Sequence, residues 1–197
     1  MLMLPNCLLS NDVISPFIRQ SRSRRMNSQY ATIVDNPNFD PAMYADKLGH
    51  ALKAGDKDAI VKVLTSISNR QRQMMREPYR INYGKDIIAA LDKKLGGDLK
   101  KTVLALMDTP LDYDVKQLKA AMKGPGTDEA VLIEILCSRT PDQLAAIRVA
   151  YEHEYKTPLE KDIADDTSGE FKDLLVALAT GSKDKSRDTN DEQAKEV

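Results

Sequence analysis

The residues best placed to do chemistry are a short glycine loop and a distant acid. The loop reads Met122-Lys123-Gly124-Pro125-Gly126-Thr127-Asp128, and Asp166 follows forty-four residues after Met122, just ahead of Thr167-Ser168-Gly169. Gly124 and Gly126 allow backbone angles that turn carbonyl groups outward toward one point. Calcium accepts six to eight oxygens in a flexible shell, so loop carbonyls, one carboxylate and water together make a feasible site for a hard cation. On the loop alone, a tight turn ahead of a capped helix explains the residues as well or better. The acid at the far end of another helix is what favours a metal.

Helices must position both parts, and they come in a repeat. At an offset of 72 residues Leu64 meets Leu136, Ser66 meets Ser138, Gln71 meets Gln143, Tyr79 meets Tyr151, Tyr83 meets Tyr155 and Gly97 meets Gly169. That register holds from Lys57 onward; ahead of it the best offset is 70, pairing Leu48 with Leu118, Ala51 with Ala121 and Lys53 with Lys123. Two residues are therefore missing from the first unit, and they are missing from the loop. A period near 70 built of helical segments implies stacked multi-helix units. Each unit is expected to hold five helices. In the second these run from about Asp114 to Lys123, from about Asp128 to Ser138 with Thr127 or Asp128 as N-cap, and onward from Pro141 through Leu144, Ile147, Val149, Tyr151 and Tyr155. A short fourth helix opens at Pro158 and ends near Asp166, and a fifth starts at Ser168 or Gly169 and carries Phe171, Leu174, Leu175 and Leu178. No period-2 alternation is long enough for a strand, so the expected class is all-α.

The glycine loop, the run Leu132-Ile133-Glu134-Ile135-Leu136 after it, and Thr167-Ser168-Gly169-Glu170-Phe171 resemble an annexin repeat. The resemblance implies two consecutive five-helix annexin-like repeats, at 42–108 and 109–181, between disordered extensions at 1–41 and 182–197. It also implies a ligand set: the carbonyls of Met122, Gly124 and Gly126, both carboxylate oxygens of Asp166, and water, one water giving way to a phosphate oxygen of an acidic lipid. With Asp166 and Ser168-Gly169-Glu170-Phe171 at the family spacing, the calcium site displaces the simple capped turn as the better reading. Pro125 departs from the pattern, since the family often carries a larger apolar residue there; it fixes its own φ and removes an N–H.

The first unit is read as having lost its site. Its loop is Leu52-Lys53-Ala54-Gly55-Asp56, with one of the two glycines gone, and Lys94 stands at the position of Asp166. It reads as scaffold, and Lys93 and Lys94 as a solvated face. His50 and His153 have no partner at zinc-ligand spacing. Cys137 falls on the apolar stripe of its helix, which predicts a buried, inert thiol. The tyrosines at helical spacing read as core. No Walker loop, dinucleotide fingerprint or nucleophile–base set is present, so no catalytic residue and no enzymatic activity is expected.

Composition sets the outer bounds. With 29 basic and 30 acidic side chains and a formal net charge of −1, the 197-residue chain has no global field to draw it to nucleic acid or membranes, and any such binding must be local. Cys7 and Cys137, 130 residues apart, argue against a disulfide framework and suit a reducing, cytoplasmic setting. No apolar run approaches a bilayer span. Residues 1–25 lie outside the resemblance; Arg19, Arg22, Arg24 and Arg25 follow rather than precede the short apolar run, the wrong order for a secretion signal. A disordered stretch, or an upstream start with Met26 opening an annexin-type tail, is favoured over a transit peptide. From Ser182 onward the sequence reads as linker or disordered tail.

Annexin cores usually contain four repeats, and the two here look most like the first and second. The resemblance thus implies calcium-dependent peripheral binding to acidic phospholipid such as phosphatidylserine, weak for a single loop. Two apolar flanks left uncovered imply self-association or binding to other annexin chains. The alternative from another class is a calcium-independent protein-interaction scaffold using those flanks.

Overall fold

The computed structural model describes residues 33–181, and among them every regular element is a helix. The expectations for residues 1–32 and 182–197, including Cys7, the arginines near the start and Met26, lie outside the described residues. The helices all fall in the unit that begins at Asp35. The first repeat comprises α1 (Pro41–Ala54), α2 (Lys57–Thr65), α3 (Asn69–Met74), α4 (Arg76–Tyr83), α5 (Ile87–Lys94) and α6 (Gly97–Met107). The second comprises α7 (Pro110–Ala121), α8 (Glu129–Ser138), α9 (Pro141–Tyr155), α10 (Leu159–Asp166) and α11 (Gly169–Thr180).

Local chemistry sets most of these boundaries. Asp40, Asp56, Asp86 and Asp128 each cap a helix N-terminus through the side chain. Ser68 with Gln71, and Thr140 with Gln143, form reciprocal capping boxes at the same place in the two repeats. Helix α7 starts at Pro110, earlier than the expected Asp114, because Thr109 accepts the Asp112 N–H and proline is already shaped for the first helical turn.

The first repeat departs from the five-helix expectation, and Pro78 explains why. It lacks the N–H that would bond the Met74 carbonyl, and its ring crowds that oxygen, so the helix is interrupted at Met75, between α3 and α4. The matching residue in the second repeat is Ala150, and α9 runs unbroken through it.

Each repeat closes on its own apolar core. Leu48, Leu64, Tyr79 and Leu91 lie in one buried cluster; Leu118, Leu136, Tyr151 and Ile163 lie in the other. The linker between them buries Met107 in the first core and is also held by hydrogen bonds. Arg72 donates from Nε to the Leu106 carbonyl at 2.8 Å, and Asn69 Nδ2 and Gln73 Nε2 donate to the carbonyls of Asp108 and Met107 at 2.6 and 2.7 Å. Ahead of α1, Asn36 and Gln71 exchange hydrogen bonds of 2.9 and 2.8 Å, which fixes the end of the N-terminal extension onto α3.

The thiol expected to be buried proves to be on the surface, as do some of the apolar residues of α9 and α11. Helix α8 is apolar almost all round, and Leu132, Ile135 and Leu136 take its inner face. Cys137 then falls one step past Leu136, on the outer stripe shared with Ala130 and Ile133, and is exposed rather than buried. Val149 is 72 % exposed on α9, although Ile147 and Tyr151 beside it are fully packed.

Helix α9 ends with Lys156 in the left-handed region at φ 58°, where the first repeat places Gly84 at φ 65°. A side chain with a Cβ is strained in that conformation and glycine is not. Lys156→Gly is expected to stabilise the second repeat by about 1 kcal/mol, measured as a rise in the urea midpoint with an unchanged slope.

Candidate metal centre

Helix α7 stops at Ala121, and the loop that follows is closed at its base by the Asp128 N–H, which donates to the Ala121 carbonyl at 2.9 Å. Between these residues Gly124 adopts φ 106° and Gly126 φ 90°, both open to glycine and strained for other residues. A Cβ at either position would meet nothing within 4 Å, so the backbone angle is what requires glycine there. Among the hydrogen bonds of the described residues, none is accepted by the carbonyls of Met122, Gly124 or Gly126. A shallow cavity of about 550 Å³ lies beside the loop, lined by Lys123, Pro125, Gly126 and Thr127.

Asp128 is committed to capping α8, with its Oδ1 3.3 Å from the Val131 N–H. Thr127 is thereby released for a contact that sequence reasoning missed. Its Oγ1 lies 2.6 Å from Asp166 Oδ2 and 2.9 Å from the Asp166 carbonyl oxygen. One hydroxyl has one proton to give, and the shorter contact is to the charged oxygen, the stronger acceptor. Asp166 is the last residue of α10 and is half-buried. Gly169, at φ 63°, turns the chain away into α11 immediately afterwards.

The structure thus brings together the glycine loop and Asp166, and the set of oxygens suits a hard cation. Helices α7 and α10 both end here, so the negative ends of two helix dipoles add to the potential. Among the described residues no group of three or more His, Cys, Asp or Glu converges on a point, so a soft-metal site of that kind is not offered. His50 and His153 are both exposed on helix surfaces.

Behind the loop, Lys119 on α7 pairs with Asp162 on α10 at 2.7 Å, and the Tyr151 hydroxyl donates to the same carboxylate oxygen at 2.6 Å. The Lys119 ammonium also stands 5.3 Å from the Tyr155 ring centroid and 5.9 Å from that of Tyr151. Burial works against the charge of Asp162, but the hydrogen bonds from Lys119 and Tyr151 outweigh it and hold the carboxyl below its ordinary range. Burial, followed by the bond to Asp162, pushes the Tyr151 hydroxyl far above the usual phenol value.

The first repeat closes its loop the same way, with the Asp56 N–H on the Ala51 carbonyl at 3.0 Å. Only Leu52 to Gly55 lie between, against Met122 to Thr127 in the second repeat, which locates the two missing residues. Gly55, at φ 74°, serves as the helix C-cap, and Lys94 ends α5 where Asp166 ends α10. Loop length, second glycine, threonine and carboxylate are absent together.

Gly126→Ala is expected to cost about 1 kcal/mol of stability through backbone strain alone. Urea unfolding in chelator measures it, and no compensating contact is available to the added methyl.

The annexin family model matches residues 43–106 and 113–178. Human annexin A11 is 46 % identical over 157 residues, which cover 79 % of this chain and 31 % of that protein. The structure of annexin III superposes with a TM-score of 0.77 at 38 % identity, over 83 % of this chain and 52 % of that one. A calcium-bound annexin (Sm)1 superposes at 0.70 with 27 % identity, over 83 % of this chain and 49 % of that one. The chain thus spans between about a third and a half of the length of these relatives. With both repeats matched and the fold shared, the chain belongs to the annexin family, whose members are known for calcium-dependent binding to phospholipid.

Proposed function

We propose that the second repeat, 109–181, binds calcium through the carbonyls of Met122, Gly124 and Gly126 and both carboxylate oxygens of Asp166. The first repeat, 42–108, acts as scaffold. The observation that carries this reading is the hydrogen bond from Thr127, which holds Asp166 beside a loop whose three carbonyls accept no hydrogen bond among the described residues. That one of the solved relatives is a calcium-bound annexin supports it. Calcium so held supplies positive charge and open coordination positions to a phosphate oxygen of an acidic phospholipid, phosphatidylserine among them. The chain's own part is to present the loop, to orient the carboxylate and to leave the outer face of the loop open.

This is a binding function, not a catalytic one, exercised peripherally on membranes from the cytoplasm when calcium is raised. No described helix is long and apolar enough to cross a bilayer. One loop with one carboxylate belongs with weak sites, on the order of 10⁻⁴–10⁻³ M without lipid. Membrane affinity then depends on engaging several loops at once, which multiplies weak contacts through effective concentration.

A second reading has one observation in its favour. Ile133 on α8 is 45 % exposed and Leu174 on α11 is 55 % exposed, on two helices that pack side by side. Apolar side chains so placed favour association with a second copy or another annexin chain. Concentration-dependent growth of the mass by light scattering, reduced by Ile133→Ser with Leu174→Ser, is the expected outcome; a monodisperse monomer refutes it.

The membrane reading is tested by sedimentation with phosphatidylserine vesicles, in millimolar calcium and in chelator. Pelleting is expected only with calcium, and Asp166→Ala is expected to abolish most of it, since Asp166 is the one charged protein ligand. Equal pelleting in chelator, or by the variant, overturns the assignment. Calcium-independent capture of a protein partner, with no pelleting, would leave the scaffold.

A further inference from the structure

We infer that Lys119, Asp162 and Tyr151 form a clasp that sets the spacing between the calcium loop and Asp166; this rests on the reading of that site just proposed. Lys119 lies three residues before Met122 on α7, and Asp162 lies four residues before Asp166 on α10. One helical turn therefore separates each half of the site from an ion pair that joins the two helices directly. The pair is partly sheltered, with the Asp162 side chain 17 % exposed, and the fully buried Tyr151 braces it from α9. Fixing three helices at one oxygen leaves the short segments beyond it little freedom to drift apart.

The other repeat shows that the fold does not need this clasp. In the register that aligns the loops, Lys119 corresponds to Gly49 and Asp162 to Ala90; Tyr151 and Tyr155 correspond to Tyr79 and Tyr83. There the Tyr83 ring lies where a Gly49 Cβ would stand, with its Cζ 2.1 Å from that position. Tyr83 also stacks on Tyr79, with ring centroids 4.7 Å apart. The same bundle is closed by aromatic packing against a glycine, and the Tyr83 hydroxyl donates to Asp46 on α1 at 3.4 Å, with neither the lysine nor the acid of the clasp at the corresponding positions. The repeat that lacks the metal-binding residues lacks the clasp, and the repeat that has them has it. Packing alone does not explain an ammonium and a carboxylate drawn into the partly buried space between α7, α9 and α10, where their desolvation has a cost. Positioning of the site does.

Lys119, Asp162 and Tyr151 are in this account positioning residues, held away from the metal, as outer-shell partners orient ligands elsewhere. The test follows the amide signals of Gly124 and Gly126 by NMR against calcium alone, without lipid, in the full chain. In Lys119→Gly with Asp162→Ala, which installs the first repeat's residues and leaves the net charge unchanged, the half-saturating calcium is expected to rise about tenfold or more. Lys119→Arg, able to keep the pair, is expected to stay within about twofold of the wild type. Tyr151→Phe removes only one hydroxyl and is expected to raise the half-point about threefold, which keeps the test open should the double variant fold poorly. A double variant or Tyr151→Phe that folds and titrates as the wild type does, while Asp166→Ala no longer titrates, overturns the clasp and leaves the site standing. A wild type whose glycine signals ignore calcium overturns the site itself.

Discussion

One hydrogen bond joins the two halves of the candidate site across 39 residues of sequence, from the Thr127 hydroxyl to the Asp166 carboxylate. Neither half has meaning without the other. A glycine loop by itself offers neutral carbonyls that water satisfies equally well, and an acid at the end of a short helix is an ordinary surface charge. Brought together at the ends of α7 and α10, they make one patch of oxygens that includes a carboxylate. Several features of the second repeat serve that juxtaposition. Asp128 takes over the capping of α8 and so releases Thr127; the turn at Gly169 sends α11 away from Asp166; the core residues Leu118 and Ile163 hold the two helices at a fixed distance from behind.

The first repeat works as an internal control. It has the same closure at the loop base, the same capping box on its third helix, and the same glycine turn ahead of its last helix, at Gly97. Its core residues pair with those of the second repeat almost one for one. Apart from the helix break at Pro78 and Gly84 against Lys156, the differences described gather around a single spot: two loop residues, one glycine, Thr127, Asp166, and the Lys119–Asp162 pair one turn behind. Stability asks for none of these, since the first repeat does without them. Their concentration in one place separates what the fold requires from what a ligand requires, with no need of any other sequence.

Much of this was legible beforehand because it rests on spacing. The offset of 72 located the repeats, and the shift to 70 ahead of Lys57 located the missing loop residues, which the two closures at Ala51 and Ala121 bear out. Prolines and caps gave the helix ends, although the start of α7 at Pro110 was missed despite the Thr109-Pro110 signal. The break at Met75 was open to the same treatment, since Pro78 stands where the other repeat has Ala150. What spacing could not supply was direction. Cys137 and Val149 sit on helices with apolar residues on more than one face, so periodicity alone does not say which face turns inward. The bond from Thr127 to Asp166 depends on a side-chain rotamer and on which of two neighbours caps α8. The pairing of Lys119 with Asp162 links residues 43 apart that no motif connects.

The charge at the site has a consequence for what it can hold. Calcium brings two positive charges, and the proposed ligand set would oppose them with one carboxylate, since the three carbonyls are neutral. Other charges stand nearby in both signs: Lys123 in the loop is set against Asp165 beside Asp166, Lys119 and Asp162 pair with each other, and Asp128 and Glu129 lie at the N-terminal turn of α8, whose dipole they offset. A calcium held by the proposed set would keep one positive charge that its ligands do not offset, on an exposed loop in a chain whose overall charge is −1. Several carboxylates would bind the ion more tightly and neutralise it, leaving nothing for an anionic surface to meet. A weak site with a surplus charge is the better device for bridging to an acidic headgroup. The same reasoning explains why geometry must substitute for charge in the second repeat. With only one anionic ligand, the binding energy depends on how well the carbonyls and the carboxylate are held in place before the ion arrives.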